Sequence, residues 1–257
     1  MLLKRRQVET NQARIIQAFR TRSKSYYADN YGRLSDSPRF ERKKVVESIL
    51  RENVVAGARV LEVGAGPGVM GEVIRQLSAK YTALDLSVDN LMNGRERLRI
   101  LSGVVGDVQA LPIRDHQFDS AVSSGCLEYV ENLRLAVHEL CRVVRPGGFI
   151  LASFANVCSP ARWWDESIVY PLGRLKGSIS RKARIAYRRY LHSFVTVKKL
   201  FLECGGHIEA VKYFNPGLIG YPFSDYPVVR RVQSNLARRS IILEKLGSEF
   251  LILVRVG

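Results

Sequence analysis

The sequence predicts an α/β fold in which helices cover both faces of a mostly parallel sheet. Three observations predict it. From residue 59 onward, short β-branched runs alternate with helical stretches, the pattern of parallel strands joined by right-handed crossovers. The first run leads directly into a glycine turn, Gly64-Ala65-Gly66-Pro67-Gly68. The last two runs are separated by a long connection, which suits a closing strand laid antiparallel to the rest.

In chain order, RVLEV (59–63) is the first strand and is followed by a helix near Val69–Ala79. YTALDL (81–86) is the second strand, with a helix near Val88–Ile100. GVVGD (103–107) is a short third strand and FDSAVSS (118–124) the fourth, leading to a helix over Leu133–Val144. Pro146-Gly147-Gly148 is expected to stop that helix, and FILASFA (149–155) to be the fifth strand. HIEAVKYF (207–214) and EFLILVRV (249–256) close the sheet, with a basic helical stretch around Val228–Leu246 between them. Ser159–Leu191 fits no sheet element and reads as an insertion between the fifth and sixth strands.

A chain of 257 residues, 46% of them hydrophobic, can bury a full core and is not a disordered polycation. No apolar run approaches the 18 or more residues of a membrane span, and the basic N-terminus lacks the continuous apolar stretch of a secretory signal. Cys126, Cys141, Cys158 and Cys204 form no C-x-x-C pair and read as reduced core residues of a cytoplasmic protein. The formal charge of +16 is unevenly placed. Residues 1–50 carry 12 basic and 5 acidic residues, residues 51–150 carry 11 and 12, and residues 151–257 carry 17 and 7. The middle of the chain is neutral, and the flanks hold the excess.

Glycines after a strand allow a tight turn and close backbone approach to a ligand, while the following helix presents free N–H groups. The nicotinamide fingerprint G-x-G-x-x-G is not met, because Val69 stands where its last glycine belongs. Three carboxylates sit at strand ends: Glu62 two residues before Gly64, Asp85 at the end of the second strand, and Asp107 at the end of the third. Open α/β sheets bind ligands along this carboxyl edge, where a carboxylate can accept from ribose hydroxyls or an exocyclic amine.

VLEVGAGPG, ALDLS, GDVQALPI, FDSAVSSGCLEYV and CRVVRPGGFIL, in that order, resemble the class I S-adenosylmethionine-dependent methyltransferases, and among them the branch of small-molecule and ubiquinone-biosynthesis-type enzymes. The match is good over 58–155 and looser through the last two strands. The resemblance implies a Rossmann-like seven-stranded sheet with an antiparallel last strand, and S-adenosyl-L-methionine as cofactor. It divides a single domain, 1–257, into an N-terminal helical cap (1–50), a cofactor-binding core (51–155), a basic insertion or lid (156–206) and closing strands (207–257). It further implies that Gly64, Ala65 and Gly66 back the methionine part, with Glu62 reaching its amino group through water and Gly68 allowing the helix its close approach. Asp85 would hold the ribose and Leu86 pack on the adenine, whose amine would meet Asp107 beside the Val108 N–H. Ser124 and Gly125 would lie beside the sulfonium, and Tyr26, Tyr27 and Tyr31 are candidates for the methionine end.

Transfer from a sulfonium needs in-line positioning and exclusion of water, and an oxygen acceptor also needs a base. Relatives often read L-E-H-V after the fourth strand, where this chain has Leu127-Glu128-Tyr129-Val130. Tyr129 is therefore a candidate to orient the acceptor or to wall the cleft. Of the four histidines, His116 and His138 read as surface residues and His207 as structural. His192, just after the insertion, is the candidate base, a structural hydrogen bond being its other reading. No cluster has metal-ligand spacing, so no metal is expected.

The basic flanks bear on the acceptor and on location. The insertion sets Trp163, Trp164, Ile179, Ile185, Tyr187 and Tyr190 among arginines and lysines, which suits an anionic membrane surface, and the N-terminal segment is a second such candidate. The expected acceptor is a small molecule, including a lipid-linked or isoprenoid one, and the expected location is cytoplasmic, with the inner membrane face as a peripheral site. A nucleic-acid methyltransferase is the alternative, disfavoured by the absence of an N-P-P-Y-like tetrapeptide after the fourth strand. A non-catalytic binding protein on the same fold is the third reading, and the charge as a plain solvated face the fourth.

Overall fold

Each strand's alternating side chains feed two separate apolar layers, one on each face of a single sheet. The computed structural model describes residues 13–19, 38–99, 102–169, 171–172, 189–215, 218–220, 223, 226–238 and 240–257. Its strands are β1 (Arg59–Val63), β2 (Lys80–Asp85), β3 (Gly103–Val105), β4 (Phe118–Ser123), β5 (Val144–Ala155), β6 (Gly206–Phe214) and β7 (Glu249–Val256). They lie in the order β3-β2-β1-β4-β5-β7-β6, a seven-stranded sheet. Strands β1 to β5 pair in parallel, and β7 runs antiparallel to both β5 and β6.

On one face Leu61, Val63, Ala121, Ile150 and Ile252 pack beneath the Leu133–Val143 and Phe194–Glu203 helices. On the other, Val60, Val122, Leu151 and Leu253 meet Val46 and Leu50 of the Pro38–Asn53 helix and Val73 and Ile74 of the Gly71–Gln76 helix. The two-residue period of a strand requires this division. The Val88–Leu98 helix is capped by Ser87, whose side chain accepts from the Asn90 N–H.

The helix before Pro146-Gly147-Gly148 ends within a residue of its expected limit, but β5 starts earlier than expected, at Val144 and not at Phe149. The helix ends at Val143, and β5 begins at once, with Val144 opposite Phe118 and Phe149 opposite Ser120. The residues between bulge out of the ladder, Gly147 at φ +75°. Arg145 in the bulge is held by Asp119, whose carboxylate accepts from Arg145 Nε at 2.6 Å and from the Arg59 N–H at 2.7 Å. The basic connection between β6 and β7 is two helices, Pro227–Arg238 and Ile241–Lys245. The cysteines depart from the expectation: all four are free, but Cys141 alone is buried, and Cys158 is exposed. No described helix is long and apolar enough to cross a membrane. Tyr26, Tyr27, Tyr31, Ile179, Ile185 and Tyr187 lie outside the described residues.

Candidate active site

The turn after β1 is set by alternating backbone hands. Gly64, Gly66 and Gly68 have φ of +67°, +54° and +74°, the left-handed region that other residues enter at a cost. A Cβ on Gly64 would lie 2.5 Å from Cys126 Sγ, so the glycine is required by packing as well. The Ala65 N–H donates to the Leu84 carbonyl at 2.9 Å, and the Gly66 N–H donates to Asp85 Oδ2 at 2.7 Å. From outside, Arg97 donates to the carbonyls of Pro67 (3.1 Å) and Gly68 (2.9 Å), so both sides of the turn are fixed.

Behind the turn stands Glu62, buried at the end of β1. It accepts from the Met70 N–H at 3.3 Å and from the Tyr81 hydroxyl. Burial raises its pKa from 4.5 to about 7, against the opposing hydrogen bonds of Tyr81 and Met70. Because the folded-state pKa is the higher one, this group's contribution to stability is full below about 4.5 and is lost as pH rises through about 7. Glu62→Gln should therefore gain on the wild type by on the order of 3 kcal/mol between pH 4.5 and pH 8. Urea unfolding at the two pH values reads that difference, and a difference independent of pH would refute it.

Asp85 is buried too, and burial raises its pKa against the hydrogen bonds it accepts. Its Oδ1 accepts from the Ser87 N–H at 2.8 Å and from Asn90 Nδ2 at 3.2 Å. With Gly66 on Oδ2, three of about four lone-pair sites are filled. Asp107 is oriented by Gln109, whose N–H donates to Oδ1 at 2.9 Å and whose amide reaches both oxygens. Gln109 in turn accepts from the Asn132 N–H at 2.9 Å, tying the segment after β3 to the helix after β4.

A cleft of about 1020 Å³, mouth included, opens over these strand ends. Glu62, Gly64, Ala65, Gly66, Asp85, Leu86, Asp107, Val108, Ser124, Gly125 and Tyr129 all line it, so the structure brings together nearly every residue singled out in the sequence. Gly68 is not on the lining and supports the turn from behind. Gly125, at φ +77°, donates its N–H to Ser153 Oγ at 2.8 Å, and a Cβ there would lie 2.8 Å from Arg42 Cζ. Cys126 also lines the cleft, its thiol pushed up to about 12 by desolvation and by the charges of Asp85 and Asp107.

His192 is not on the lining. Its ring sits edge-on to Phe154, and it bonds the Leu127 carbonyl. Burial lowers its pKa against that bond, and Nε2 is buried without a hydrogen-bond partner. This placement matches a structural hydrogen bond better than a base at the cleft. No group of metal-binding side chains occurs among the described residues.

Sequence reading missed three parts of the site. A helical segment over 13–19 brings Ile15, Ile16 and Phe19 to the cleft wall, with Phe19 edge-on to Tyr129 at 5.3 Å. The i, i+1, i+4 apolar spacing in that segment was the available signal. Asn90 and Gln109 orient the two aspartates, and their short spacing after Asp85 and Asp107 was the clue. The third part is buried and ionic. Glu249 accepts from Arg42 and from Arg162, each at 2.8 Å, tying the helix before β1 and the helix after β5 to β7. Burial alone would raise the nearby Glu128 carboxyl, but Arg189, Arg162, Arg42 and the Tyr129 hydroxyl outweigh it and hold it at about 2.

Comparison with known proteins agrees with this geometry. Residues 61–152 match the family model described as a methyltransferase domain. The chain is similar to the malonyl-[acyl-carrier protein] O-methyltransferase of Salmonella typhimurium, 39% identical over 101 residues, which are 39% of this chain and 39% of that one. It is also similar to the demethylmenaquinone methyltransferase of Renibacterium salmoninarum, 34% identical over 116 residues, covering 45% and 48%. The chain thus spans less than half the length of the curated relatives it matches. In fold it is similar to the magnesium protoporphyrin IX methyltransferase of Synechocystis PCC 6803, with TM-score 0.64, 11% identity and coverage of 96% and 100%. It is similar also to an S-adenosylmethionine-dependent methyltransferase of Mesorhizobium loti, with TM-score 0.59, 18% identity and coverage of 86% and 98%. Strand order, glycine turn, strand-end carboxylates and family match converge on residues 61–152, the segment that matches a methyltransferase domain.

Proposed function

We propose that the whole chain is an S-adenosylmethionine-dependent methyltransferase acting on a small-molecule acceptor, including a lipid-linked one. The observation that carries this is the convergence of Glu62, Asp85 and Asp107 on one cleft. The cradle fits the cofactor. A cleft lined by three acidic side chains favours a cationic ligand, the glycine turn leaves room for close approach, and Asp85 keeps acceptor capacity beyond its bonds to Gly66, Ser87 and Asn90. When bound, the cofactor supplies an electrophilic methyl group on a sulfonium.

The chain's own residues then bind, orient and exclude water. Gly64, Ala65 and Gly66 would present backbone to the methionine end, with Glu62 behind them. Asp85 would hold the ribose beside Leu86, and Asp107 and Val108 the base. Ser124 and Gly125 would wall the reacting centre. Ile15, Ile16 and Phe19 close the cleft with apolar surface, and Tyr129 orients or walls the acceptor. His192 acts as a positioning residue through its bond to the Leu127 carbonyl, holding the turn that carries Tyr129.

Acceptor chemistry is suggested by the relatives, named for malonyl-[acyl-carrier protein] and demethylmenaquinone. Both names point away from nucleic acid, and the segments of excess positive charge lie outside the matched domain. Those flanks support a cytoplasmic enzyme working at the inner membrane face. Incubation with methyl-labelled cofactor and whole-cell extract should place the label in the lipid or small-metabolite fraction. Label in nucleic acid, or no transfer at all, would overturn the reading.

A further inference from the structure

We infer that the surface made by the Pro227–Arg238 and Ile241–Lys245 helices, continued by Trp163, docks on an anionic lipid bilayer. This rests on the membrane location proposed above and gives it a face that the matched domain does not contain. The longer helix is turned against the usual sense. Val228, Val232 and Leu236, at i, i+4 and i+8, are exposed, Val228 at 73%. The face toward the protein instead buries Gln233, whose Oε1 accepts from the N–H groups of Leu218 at 2.9 Å and Ile219 at 2.8 Å. A helix held inward by a glutamine, with its aliphatic stripe outward, is built for something beyond the chain's own core.

The neighbouring elements extend the same surface. Ile241 and Ile242, at the start of the second helix, are exposed at 73% and 74%. Phe223 and Tyr226 lead into the first helix and are exposed as well. A Cβ on Gly220 would lie 2.8 Å from Trp164 Cδ1, so the segment before the helices packs on the Pro160–Trp164 helix, from which Trp163 projects 60% exposed. Amphipathic aromatic rings beside aliphatic side chains suit the level of lipid headgroups.

Charge selects the occupant. Residues 226–246 hold Arg230, Arg231, Arg238, Arg239 and Lys245 against Glu244 alone. Arg231 and Lys245 are exposed, and their stems can lie along apolar surface while the heads meet phosphate. A second copy would bring the same cationic face, on a chain of +16, against itself. An anionic bilayer offers both hydrocarbon for the stripe and negative charge for the arginines.

The test is co-sedimentation of the full chain with phosphatidylglycerol or phosphatidylcholine vesicles at about 50 mM salt. Binding is expected to the anionic vesicles only. The triple variant Val232→Asp, Leu236→Asp, Ile242→Asp should partition at least about tenfold less while keeping its melting temperature and its cofactor binding. No binding by the folded wild type would overturn the inference, and so would equal binding by the variant. A wild-type dimer that the variant converts to monomer in light scattering would assign the face to a second copy instead. Failure of the methyl-transfer reading shows separately, as loss of cofactor binding or transfer, which the vesicle assay does not read.

Discussion

Gly64→Ala should lose about 2–4 kcal/mol of stability and bind cofactor at least about tenfold more weakly. The first effect has two sources, because φ at this residue is +67° and the added methyl would lie 2.5 Å from Cys126 Sγ. Neither relaxes cheaply. The Ala65 N–H is tied to the Leu84 carbonyl, Gly66 to Asp85, and Arg97 clamps the carbonyls of Pro67 and Gly68. Cys126 is itself wedged between the turn and the start of the short helix at Leu127–Tyr129. Shifting either neighbour displaces the cleft wall, which is why binding falls along with stability. The double variant Gly64→Ala, Cys126→Gly separates the two sources: it should regain the packing part and keep the backbone strain. Chemical denaturation of the pair reads this directly, and a wild-type melting temperature in Gly64→Ala alone would sink the packing account.

Removing Glu249 should cost about 3–5 kcal/mol, as expected when one member of a buried ionic group is taken away. Its carboxylate is nearly inaccessible and bridges Arg42 and Arg162, themselves buried. Glu249→Ala leaves two guanidinium groups in the interior with their main counter-charge gone. Arg42 also backs Gly125, on the cleft wall. The variant should therefore show a lower melting temperature and a weakened cofactor site together, and Glu249→Gln should fall between it and the wild type. An unchanged melting temperature would mean that the three elements are held by apolar packing alone.

Much of the fold was legible because it is written locally. Strands β1 and β7 are dense in Val, Ile and Leu, and the limits of β1, β2, β4 and β7 fall within about a residue of the runs read from sequence. The strand-end carboxylates were legible for the same reason, each standing at a fixed step from a glycine or a strand end. What was not legible depends on partners remote in sequence. The helix ends before Pro146-Gly147-Gly148 as read, but the continuation of β5 through that segment as a bulge was not legible, and Arg145 there is held by Asp119, 26 residues earlier. The Arg42–Glu249 pair joins residues 207 apart, and no local pattern announces it. Ile15, Ile16 and Phe19 carry an apolar i, i+1, i+4 spacing, but that they wall the cleft depends on strand ends remote in sequence. His192 was singled out for its position after the insertion, but its ring is spent on the Leu127 carbonyl and on Phe154.

The cleft at the carboxyl ends of β1, β2 and β4 is the proposed seat of S-adenosylmethionine. This assignment is tested most directly by calorimetric titration of that cofactor into the wild-type chain and into folded Gly64→Ala. A single site per chain is expected in the wild type, with at least about tenfold weaker binding in the variant. No heat of binding to the folded wild type, or the same affinity in both proteins, would contradict it.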